Sequence, residues 1–122
     1  MSDKELLELA AKAAGFGSPG SGRTIWILSE YPKRSGRHGA LWNYVGSLDD
    51  AELWNPLTDD GDALRLAVKL RIKHERHINQ PHVAAWAPDI VGRFEESEGS
   101  DPCAATRRAI VRAAAEIGKT MP

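Results

Sequence analysis

Hydrophobic and polar positions change period several times along this chain, and each change marks an element. Leu6, Leu7, Leu9, Ala10, Ala13 and Ala14 recur at helical spacing behind Ser2 and Glu5, whose separation matches a capping box. Gly15 and Gly17 can close that helix in a left-handed turn, so the pattern predicts a first helix over about residues 3–14. After a glycine, serine and proline loop, Thr24-Ile25-Trp26-Ile27-Leu28 and Ala40-Leu41-Trp42-Asn43-Tyr44-Val45 are β-branched and aromatic runs that read as strands. Polar residues 29–39, with Pro32, Gly36 and Gly39, separate them, which predicts an antiparallel hairpin with a long basic tip. Hairpin loops usually hold about two to five residues, so this one reads either as a functional tip or as a plain surface excursion.

Gly46 to Pro56 reads as a connector, because Pro56 forces Asn55 towards extended geometry. Thr58 or Asp59 caps a second helix over about residues 59–70, with Asp60 and Asp62 at the positive end of its dipole. Ala63, Leu66, Ala67 and Leu70 form its inner face, Leu64 and Val68 adjoin them, and Arg65 and Lys69 point outwards. Residues 71–78 fit an edge strand or an extension of that helix. His82 to Ala87 and Ile90 to Phe94 read as strands joined at Pro88-Asp89, followed by a polar link from Glu95 to Ser100. Asp101-Pro102 is a helix start, and Ala105, Ala109, Ile110, Ala113, Ala114 and Ile117 predict a third helix over about residues 102–118. The order implies an α+β fold: a small, mostly antiparallel sheet of four or five strands, about three helices, and the N- and C-terminal helices packed on the sheet.

At 122 residues the chain suits a single domain over positions 1–122, and 42% hydrophobic with 27% charged residues is a globular profile. The lone Cys103 excludes an internal disulfide, and without a signal-like or membrane-spanning run the expected compartment is a reducing cytoplasm. The net charge of −1 hides alternating blocks: basic at 23–38, acidic at 49–62, basic at 65–76 and acidic at 95–101. Such blocks favour local pairing over one extended field, which argues against a general nucleic-acid coat.

Enzymatic apparatus is hard to assemble from these residues. Gly17 to Thr24 nearly spells a phosphate-binding loop, but Arg23 replaces the lysine, and a helix leads in where a strand should. His74, His77 and His82 hint at a metal, yet the three-residue spacing of His74 and His77 puts them on opposite faces of a strand, so solvated histidines are the expectation. Cys103 lies beside the positive end of the third helix without an evident base, and the acids around Asp59 are explained by capping. The expectation is therefore no catalytic residues, no metal and no cofactor. Arginine forks suit phosphate or carboxylate, so Lys33, Arg34, Arg37 and His38 at the hairpin tip, with Trp42 beside them, form the first candidate contact surface. Arg107, Arg108 and Arg112 on the third helix form the second.

Three segments carry a family resemblance: residues 3–15, the Trp54-Asn55-Pro56-Leu57-Thr58-Asp59-Asp60-Gly61-Asp62-Ala63-Leu64 turn and helix, and Ala105 to Ala115 with its Arg108-Ala109-Ile110-Val111 core. Together they cover about a third of the chain and resemble a group of small phage and prophage proteins, similar in architecture to the NinX-like proteins of lambdoid phages. The resemblance implies an accessory protein of a virus that infects bacteria, acting in the host cytoplasm, and brings no catalytic residues to carry over. The expected function is non-enzymatic binding of a host macromolecule, such as inhibition of antiviral defence in the manner of an anti-CRISPR protein. Two alternatives stay open: a small-ligand protein that sequesters a nucleotide signal, compatible with a homodimer, and a small nucleic-acid-binding protein.

Overall fold

The structure, a computed structural model, describes residues 2–15, 24–27, 39–42 and 52–121; for 24–27, 39–42 and 52–53 the description is of the backbone. The elements in chain order are α1 (Asp3–Ala13), β1 (Thr24–Ile27), β2 (Gly39–Trp42), β3 (Glu52–Trp54), α2 (Asp60–Leu70), β4 (Lys73–Arg76), β5 (His82–Trp86), β6 (Phe94–Ser97) and α3 (Pro102–Thr120). The α+β class is as expected. The described strands form two antiparallel sheets of three, in the orders β1-β2-β3 and β4-β5-β6, instead of one sheet of four or five.

Each helix starts where its chemistry directs. Ser2 accepts a hydrogen bond from the Glu5 amide, Asp59 from the Asp62 amide and Asp101 from the Ala104 amide. Each cap satisfies one of the orphan N–H groups of a first turn and stabilises its helix by about 1 kcal/mol. The C-cap of α2 is less ordinary: Arg71 sits in the left-handed region at φ 58, and its N–H reaches the Ala67 and Val68 carbonyls.

The third helix is the spine. It lies on the β4-β5-β6 sheet, with α1 and α2 packed alongside it. Contacts between α1 and α3 pair Asp3 with Arg108 and Lys12 with the Met121 carbonyl, so the two helices run in the same direction. Their seam is built from small side chains: Ala10, Ala11, Ala14, Ala109, Ala113, Ala114, Ala115 and Gly118 are buried. Leu7, Val83, Val111 and Pro56 are the largest wholly enclosed side chains of the core. The terminal helices were expected to pack on the sheet; α1 instead packs mainly along α3, because its alanine face lets two backbones approach closely.

Two strands differ from expectation. A strand at 90–94 was predicted, but 88–92 are turn and bend, with Gly92 at φ 109 and Val91 96% exposed, and the strand is Phe94–Ser97. Alternation explains the shift. Phe94 and Glu96 turn inwards beside Ala85 and Val83, and an inward glutamate disguises a strand as a polar link. β3 falls inside the expected connector, pairs with β2, and ends at Trp54, which is buried.

The turn after β3 is held by two side chains. The Asn55 side-chain oxygen accepts from the Leu57 N–H at 2.9 Å, and the buried Asp62 carboxylate accepts from the Asn55 N–H at 3.0 Å. Asp62 Oδ1 also takes Arg65 Nη2 at 2.7 Å, so the acid is shared between the turn and its own helix.

Candidate functional site

The loop before β1 and the hairpin tip carrying Lys33, Arg34, Arg37 and His38 lie outside the described residues, and Trp42 is described by its backbone alone. The β1-β2 pairing that would carry the tip is antiparallel, with Ile27 opposite Gly39.

The three arginines of α3 do not form one patch. Arg107 turns towards α2, donating to the Leu57 carbonyl at 2.8 Å and to Asp60 at 2.6 Å. Its side chain is 15% exposed, so it closes the α2–α3 contact. Arg108 and Arg112 turn to the opposite side, one helical turn apart, and both engage Glu96 of β6. Arg108 adds Asp3 at 3.0 Å, and Arg112 adds the Glu95 carbonyl at 2.9 Å. Arg112 also lies over the Phe94 ring, 5.4 Å from its centroid.

These residues line a groove of about 400 Å³ between α1, α3 and β6, with Leu6 and Phe94 as its apolar walls and Lys119 at one end. Each guanidinium is about a third exposed. Their bonds run through Nη1 and Nε, and among the described residues no hydrogen bond uses either Nη2. A guanidinium has five N–H donors in a fixed plane, so both retain donors for a carboxylate or phosphate. Glu96 and Glu116 also line the groove, so it carries three cations against two carboxylates beside one aromatic wall, and its spare donors belong to Arg108 and Arg112.

A second, smaller groove of about 230 Å³ opens between α2, α3 and β4. Cys103 and His74 line it together, with the exposed Leu64 on its rim. That pairing was not foreseen from the sequence, because the 28 positions between them hide it. Beside it, Arg76 pairs with Glu98. The hydrogen bond from Arg76 holds the Glu98 carboxyl below its ordinary value, and the same bond raises Arg76.

His77 and His82 face each other where β4 and β5 diverge, the His77 N–H donating to the His82 carbonyl at 3.1 Å. Their rings lie 4.0 Å apart at 39°. Glu95 of β6 approaches both, with Oε1 3.8 Å from His77 Nε2 and 3.6 Å from His82 Nε2. His74 takes no part. Of the three histidines the sequence offered, strand register brings together His77 and His82.

No family model, no curated protein and no solved structure matches the chain. No helix among the described residues is long and apolar enough to cross a membrane.

Proposed function

We propose that this chain is a non-enzymatic accessory protein of phage or prophage origin that binds an acidic macromolecule of its bacterial host, such as a component of antiviral defence. The phage setting rests on the resemblance of the three quoted segments. The observation that supports binding is the α3 groove, where Arg108 and Arg112 keep Nη2 donors beside the Phe94 ring. Arginine paired with an aromatic is a frequent composition of interface hot spots, because the guanidinium supplies directed hydrogen bonds and the ring supplies buried area.

The experiment is affinity capture from bacterial host lysate with the wild-type chain and an Arg108→Gln/Arg112→Gln variant. The wild type should retain a defined partner, and the variant should lose at least about tenfold in affinity, the equivalent of roughly 1.4 kcal/mol. Circular dichroism of the variant controls for folding. Equal retention by both proteins removes the groove from the contact surface, and attention then returns to Lys33, Arg34 and Arg37. The same groove volume also suits a small anionic ligand. Saturable binding of a nucleotide at micromolar concentration would favour that second reading over a macromolecular partner.

A further inference from the structure

We propose that His77, His82 and Glu95 form a binding site for one divalent transition-metal ion of the zinc type. The site is a product of strand register. β4 and β5 pair Arg76 with Val83, so the next opposed pair is His77 and His82. β5 and β6 pair Ala84 with Glu95, and residues 82 and 84 share a face of the strand, so Glu95 stands diagonally beside His82 on that face. The residue that follows β4 and the strands β5 and β6 therefore deliver one side chain each, from positions 77, 82 and 95, to one spot on the sheet face opposite Val83 and Ala85.

The donor atoms already converge. One ligand atom from each residue lies within 4.8 Å of the other two. Zinc bonds of about 2.0–2.2 Å place tetrahedral ligand atoms roughly 3.3–3.6 Å apart, so small rotations of side chains would close the set. The chemistry of the donors is also selective. Two imidazole nitrogens with one carboxylate oxygen suit zinc and its neighbours, whereas calcium and magnesium prefer oxygen alone.

A separate observation asks for a ligand at this spot. His77 Nε2 is shielded from solvent and has no hydrogen-bond partner among the described residues. Glu95 stands too far away, at 3.8 Å, to satisfy it. A metal ion bridging His77 Nε2, His82 Nε2 and Glu95 Oε1 would satisfy the buried nitrogen. Glu95 is half exposed, so the remaining coordination position faces solvent and is open to water or to a donor from another molecule.

The test uses the full chain without a histidine tag. Isothermal titration with zinc chloride should give saturable 1:1 binding, and cobalt(II) should give the visible absorption of a low-coordinate nitrogen and oxygen site. His82→Ala should lower the affinity at least about tenfold. The exposed Glu95→Gln should do the same while leaving the circular dichroism spectrum unchanged. Absence of saturable uptake by the wild type would overturn the site. So would zinc affinity that is the same in the wild type, His82→Ala and Glu95→Gln.

Discussion

Gly118 in α3 lies so close to Leu9 in α1 that a Cβ at position 118 would stand 2.1 Å from the Leu9 carbonyl oxygen and 2.8 Å from its carbonyl carbon. The obstruction is backbone, which cannot rotate aside. Gly118→Ala should therefore push the helices apart and destabilise the fold by about 1–3 kcal/mol, despite alanine's better helix propensity. Urea denaturation measures this directly. A neutral or stabilising outcome would mean that the helices do not cross at this glycine.

Asp62→Ala should cost about 1–3 kcal/mol, because it leaves the buried Asn55 N–H without its acceptor. Asp62→Asn should cost less, since an amide oxygen can still accept from Asn55. Thermal melts of both variants would separate loss of the hydrogen bond from loss of charge. Equal melting of Asp62→Ala and wild type would show that the turn does not depend on this contact.

Arg71→Gly should stabilise the protein by about 0.5–1 kcal/mol. A non-glycine residue at φ 58 is strained, and the arginine side chain there is exposed. A chemical melt shifted to lower denaturant would contradict this.

The Arg76–Glu98 pair sets a pH dependence. A carboxyl held below its ordinary value by Arg76 binds its proton less readily in the folded chain than in the unfolded one. Its stabilising contribution is therefore complete above the unfolded value and is lost as the pH falls through the lowered one. The stability gap between wild type and Glu98→Gln should be open near about pH 7 and close as the pH drops below about 4. A gap that stays constant across that range would exclude the ion pair as its cause.

The helices and their caps could be read from local signals, because Ser2, Asp59 and Asp101 each act within three residues of themselves. The antiparallel β1-β2 pairing follows from composition and turns in the same way, whereas residues 71–78 fitted a strand or a helix extension equally and the structure makes 73–76 a strand. What local patterns missed depends on distant pairing. Glu96 turns inwards because Arg108 and Arg112, a dozen or more positions onwards, await it. Without them, residues 94–97 look like a polar link. Likewise Arg107 reads as a surface charge until Leu57 and Asp60 are seen to claim it. Of the candidate surfaces, the α3 cluster divides into one clasp and one groove, and the histidines regroup around Glu95 by register.

The parallel contact between α1 and α3 joins positions more than one hundred residues apart, as with Arg108 and Asp3 or Lys12 and Met121. A ribosome releases α1 long before its companion exists. The leucine and alanine stripe of the first helix must therefore wait uncovered while the hundred residues between them are made, and the architecture can only lock once α3 emerges.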